Sequence, residues 1–182
     1  MSVAAMVDGV PVPVAEVDAR EEQLRGSRAA SSLPRAGTSE GRQLRRWLTQ
    51  LLVTERVVAA EAKARGLTAD GAPSEDDLLP DVSVRLEIGS VAASVLADPL
   101  ARALFVAVTQ GVDVTDDAVA AYQARNPSRF ADIAGVAGHL RAAARRRAFR
   151  LWLDARCAAL VELAPGYEHP GDPRQPDNTH RH

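Results

Sequence analysis

The stretch Ser39–Arg65, SEGRQLRRWLTQLLVTERVVAAEAKAR, decides the fold. Within it Leu44, Trp47, Leu48, Leu51, Leu52, Val58, Ala59 and Ala62 recur at helical spacing, which lines one face of an α-helix with apolar side chains. Thr38 or Ser39 can cap the start, and Glu40 suits the positive end of the helix dipole. Gly66 can adopt the left-handed conformation that ends a helix. At a rise of about 1.5 Å per residue the helix runs about 40 Å, which exceeds the width of a small globule and marks it as a spine.

On its N-terminal side, Met6-Val7-Asp8-Gly9-Val10-Pro11-Val12 reads as two short strands around an Asp-Gly turn. Pro11 and Pro13 confine the second strand to an edge. A helix is predicted from Ala15 to Arg25, with Val17 and Leu24 on one side, and then a loop over 26–37. Beyond the spine, the acidic, proline-bearing segment Asp70–Asp81 reads as a connector. Val82–Ala97 is predicted as one helix, apolar nearly all round, followed by helices over Leu100–Thr109 and from Thr115 to Asn126. The last long helix begins near Gly135 and ends near Leu160, with Leu140, Ala144, Ala148, Leu151, Trp152, Ala155 and Ala159 as its apolar stripe. Val161–Leu163 can form a closing strand. After Pro165 apolar periodicity stops, so 1–164 is expected as one domain and 165–182 as an extended tail. The predicted class is mostly α: a bundle of long amphipathic helices with a small β-hairpin.

Composition limits what such a chain can do. Its 182 residues carry 22 basic and 24 acidic side chains, a net charge of −2, so no bulk field draws it to nucleic acid or to an anionic membrane. A single cysteine, Cys157, excludes a disulfide-built module. All the basic residues but Lys63 are arginine, a bias expected of a GC-rich bacterial genome. Met1–Met6 has no basic n-region and no apolar run behind it, and Asp98-Pro99 divides the most apolar segment, Val82–Val108. No secretory signal or membrane span is expected, and the expected compartment is the cytoplasm.

Four features carry potential chemistry. Gly37-Thr38-Ser39-Glu40-Gly41 fits the Gly-x-Ser-x-Gly pattern of acyl-transfer nucleophiles, yet no buried strand precedes it, so a helix cap is the favoured reading and acyltransferase chemistry at Ser39 the remote one. His169, His180 and His182 gather at the chain's end, and neutral imidazoles can bind a transition metal there; no other cofactor is expected. Arg141, Arg145, Arg146, Arg147, Arg150 and Arg156 crowd the last helix, either as a site for phosphate or an acidic partner or, the preferred reading, as a solvated face. Trp47, Leu48, Leu51, Leu151 and Trp152 either pack the core or form a greasy groove for polypeptide segments.

The order of these pieces resembles the SurA/PrsA class of foldase chaperones. Val7-Asp8-Gly9-Val10-Pro11-Val12 with Ala15-Glu16-Val17 looks like the opening hairpin and first helix of that class, and Arg42–Leu67 like its long second helix. Val114-Thr115-Asp116-Asp117, Tyr122, Asn126-Pro127 and Arg129-Phe130 resemble the helix that leads into the parvulin prolyl-isomerase domain, and Leu140–Leu163 the helix and strand that return from it. Here Phe130 runs into the return helix within ten residues, which leaves no room for an isomerase. The resemblance implies a chaperone module without the catalytic insert, whose last strand pairs with the N-terminal hairpin. It implies no enzymatic activity and a protein client or partner, with Trp47, Leu48, Leu51, Leu151 and Trp152 as the client-binding candidates.

Overall fold

The computed structural model describes residues 1–177. Strands β1 (Val3–Val7) and β2 (Val10–Pro13) form the expected hairpin. Asp8 and Gly9 take φ of 48° and 75°, the two positive values that a tight two-residue hairpin turn requires. Strand β3 (Val161–Leu163) pairs antiparallel with β1, so the sheet order is β2-β1-β3. Ala5 faces Val12 on one side and Leu163 on the other, joining segments more than 150 residues apart in one sheet.

Eight α-helices occur among the described residues: α1 (Val14–Arg25), α2 (Ser39–Ala64), α3 (Glu75–Leu78), α4 (Val82–Ile88), α5 (Ser90–Val95), α6 (Pro99–Thr109), α7 (Asp116–Arg125) and α8 (Ile133–Leu160). The mostly helical class with a small sheet is therefore the observed one. Gly66 ends the spine with φ 64°, and Thr115 caps α7 by accepting the Ala118 N–H. Two departures have local causes. The connector contains α3, which a reciprocal pair of hydrogen bonds between Ser74 and Asp77 holds at its start. The single helix expected over Val82–Ala97 is broken at Gly89, whose φ of 96° no helix accommodates.

The chain forms two compact units. The first holds Met1–Ala60 with the described residues from Arg156 onward. Two clusters lie in its core among the described residues. Ala5, Val7 and Val12 of the sheet pack on Val53 and Val57 of α2, with Cys157, Leu160, Val161 and Leu163 at the margin. Ala4 and Val17 pack on Leu48 and Leu52, with Leu44, Trp47 and Tyr167 beside them. Ala4 and Ala5 are neighbours in a strand, yet both are buried. The irregular register between Val3 and Ala5 accompanies this, and the two alanines feed different clusters. Ion pairs lace α1 to α2: Glu16 to Arg56 and Asp18 and Glu21 to Arg45, each at 2.6 Å, and Arg20 to Glu55 at 2.8 Å. Burial alone would raise the Glu21 pKa, but the hydrogen bonds that Arg45 and Arg25 donate bring it below the ordinary carboxylate value.

Residues 164–177 run over this unit in a series of turns. Ala164 N donates to the Ala4 carbonyl at 2.9 Å, and the Asp177 carboxylate receives Arg42 at 2.6 Å and Arg46 at 3.1 Å. Chiefly through the hydrogen bond from Arg42, its pKa falls from the usual 3.8 to about 2.

The second unit spans Glu61–Ala155. Ala92, Val95, Leu96, Ala101, Leu104 and Phe105 are buried there, and Phe105 meets Phe149 of α8 with ring centroids 5.0 Å apart. Near the start of α8, His139 contacts the rings of Tyr122 and Phe130 at 5.6 and 5.1 Å.

Candidate functional site

The Gly-x-Ser-x-Gly segment is the entry to α2. Thr38 Oγ1 accepts the Gly41 N–H at 3.0 Å, so Thr38 is the cap, and Ser39 opens the helix. Gly37 takes φ 80°, and a Cβ on Gly41 would strike the Arg35 carbonyl. Both glycines thus have a backbone reason to be there. In the unit that holds Ser39, the one described histidine is His169, while His139 belongs to the other.

The five candidate client-binding residues divide by burial. Leu48 and Leu51 are buried, and Trp47 lies half-buried against the cluster of Ala4, Val17, Leu48 and Leu52. Trp152 is half-buried, stacked on Phe149 at 5.9 Å with the Arg65 guanidinium 5.7 Å from its ring centroid. Leu151 is 59% exposed. The stripe read for the last helix is therefore not its buried face. Val136, Arg146, Phe149 and Leu153 turn inward, while Leu151, Ala155 and Ala159 are exposed. In an alanine-rich helix several faces look equally apolar, and the large ring of Phe149 decides between them. Two further apolar side chains lie open to water where the sequence predicted one helix apolar nearly all round: Val82 and Leu86 of α4, at 71% and 77%. Gly89 is the signal that could have found them, because a break there frees α4 to turn these side chains outward.

The arginines of α8 do not form one solvated face. Arg147 and Arg150 are exposed, and Arg150 donates to the Ile88 carbonyl at 2.6 Å. Arg141 pairs with Asp113 at 2.8 Å, which draws the Asp113 pKa below its ordinary value. Arg145 donates through Nε to the Val112 carbonyl at 3.1 Å. Arg146 is buried.

Of the metal candidates, His180 and His182 lie outside the described residues. His169 is exposed, and its Nδ1 accepts the Gly171 N–H at 2.9 Å, so that lone pair is already engaged. Among the described residues no group of three or more His, Cys, Asp or Glu side chains gathers as a metal site. Likewise, no described helix is long and apolar enough to cross a membrane.

Residues 3–40 match a family of unknown function, DUF7158. The match covers β1, β2, α1 and the entry to α2. No curated protein and no solved structure matches the chain.

Proposed function

We propose that this protein is a non-enzymatic, chaperone-like accessory protein of the cytoplasm that binds extended polypeptide segments through apolar helix faces. One observation carries the reading: Val82 and Leu86, one turn apart on α4, are 71% and 77% exposed. Apolar side chains aligned at that spacing contribute nothing to the chain's own core and gain burial only when a partner covers them. Leu151 on α8 offers a further apolar contact of the same kind. The resemblance of the hairpin, spine and closing strand to the SurA/PrsA module supports the same reading. The connection from Phe130 to the start of α8 at Ile133 is too short to hold an isomerase, which supports a binding role without that catalysis. The single cysteine fits a reducing compartment. In this reading nucleic acid is not a ligand.

The test is light scattering from a client that aggregates on mild heating. Full-length protein at a few-fold molar excess should suppress the signal. The Val82→Glu/Leu86→Glu double variant should suppress it at least fivefold less while keeping the parent melting temperature. Equal suppression by both proteins, or none by either, refutes the reading.

A further inference from the structure

We propose that a cleft in the second unit binds a small organic carboxylate through Arg145 and Arg146 of α8. The cleft has a volume of about 360 Å³, and its apolar wall is formed by Leu78, Phe105, Val106 and Ala142. That size falls within the range of small-ligand sites, roughly 300–1,000 Å³.

Arg146 is the group that asks for a ligand. It lines the cleft, is 8% exposed, and makes one long hydrogen bond, from Nη1 to the Leu78 carbonyl at 3.4 Å. Its buried Nε has no partner, and among the described residues no carboxylate pairs with it. Glu87 and Arg150 share a smaller neighbouring cleft of about 220 Å³ with Arg146, and neither completes its hydrogen bonding. A guanidinium cannot shed its proton at any ordinary pH, so burial leaves a charge that only an anion neutralises. Arg145 lines the same cleft and commits only Nε, to the Val112 carbonyl, which leaves its terminal nitrogens to donate.

The local charge selects the class of anion. Arg141, the third arginine of the cleft, is already held by Asp113, and Asp77 also lines the cleft, with its carboxylate accepting the Ser74 N–H at 2.9 Å. Three arginines thus stand against two aspartates, and one positive charge is left over. A carboxylate carries that single charge and presents the planar pair of oxygens that an arginine fork matches. A phosphate dianion would overcharge the site. The apolar wall then fits a short hydrocarbon body, so the ligand is an acid with an apolar chain, whether a free short-chain acid or the carboxyl end of a polypeptide. This site is independent of the exposed face of α4.

The probes are hexanoate, the neutral hexanamide, and acetyl-Ala-Leu with a free carboxyl end, titrated into full-length protein and followed by amide NMR shifts. Hexanoate should move the Phe105, Val106 and Ala142 signals and bind at least tenfold more tightly than hexanamide. Arg146→Met should lose at least tenfold in hexanoate affinity without a lower melting temperature, and the exposed Arg147→Met should bind as the parent does. Gly138 also lines the cleft with open space where a Cβ would stand, so Gly138→Leu should block the site without touching its charge. Saturable binding of hexanoate supports a free acid, and binding of the dipeptide alone supports a chain end. The proposal falls if neither carboxylate binds at millimolar concentration, if the amide binds equally, if inorganic phosphate binds in preference, or if Arg146→Met binds like the parent.

Discussion

Gly89 and Gly138 show how one residue type serves opposite ends. Gly89 sits at φ 96°, and a Cβ there would come within 2.6 Å of Arg150 Nη1, the group that donates to the Ile88 carbonyl. Gly89→Ala should therefore cost about 1–3 kcal/mol, read as a lower urea midpoint. Gly138 lies inside α8 with open space around it, so Gly138→Ala should gain about 0.5–1 kcal/mol in the same measurement, from helix propensity alone. Asp177 gives a pH-dependent test. Its folded pKa, about 2, lies below the ordinary 3.8, so the stability it contributes is complete above about 4 and is lost as pH falls towards 2. Asp177→Asn should melt earlier than the parent at pH 7, and the difference should shrink as pH falls through about 2 and vanish only below it.

At the level of elements, packing outweighs charge. α1 carries a run of ion pairs to α2, but most of those side chains are partly exposed, and such pairs contribute at most about 1 kcal/mol each. Val17, fully buried on the same helix, is different. Val17→Ala should lose about 2 kcal/mol and Arg20→Gln less than about 1 kcal/mol, as read by denaturant melts. Burial first, then the positive charges of Arg129 and Arg146, hold the His139 pKa below its usual 6.5. The contact of α7 with His139 should thus be tightest above that pH and loosen as pH falls below it, visible as faster amide exchange in α7. Elements whose ends are set by local chemistry were legible in the sequence: the Asp8-Gly9 turn, Gly66 after the spine, and Thr115 before α7. What escaped was set by partners distant in sequence. Nothing local says that Arg146 shares a buried face with Phe149 and Leu153, since a charge there contradicts the period that defines a face. Nor does local pattern separate Leu151, open to water, from Trp152, half-buried beside it. The six arginines could be counted, but not sorted into paired, exposed and buried ones.

For the whole chain, the sheet sets a condition on assembly. β1 is the central strand and has one neighbour three residues away and another more than 150 residues later. Closing so long a segment costs several kcal/mol of chain entropy, though the cost rises only slowly with length. The second unit, by contrast, is continuous in sequence, Glu61–Ala155, and falls between the two segments that make up the first. Chains arrested on the ribosome with residues up to Ala155 exposed should protect 61–155 from protease while 1–60 is still cut. Release of the full chain should protect both. If 1–60 resists cleavage before β3 emerges, the sheet is not what completes that unit. On the expected outcome the hairpin, though synthesised before β3, becomes stable only after it. Until β3 arrives, one edge of β1 is open to any passing strand, and a hairpin in that condition is itself a client for the cell's chaperones.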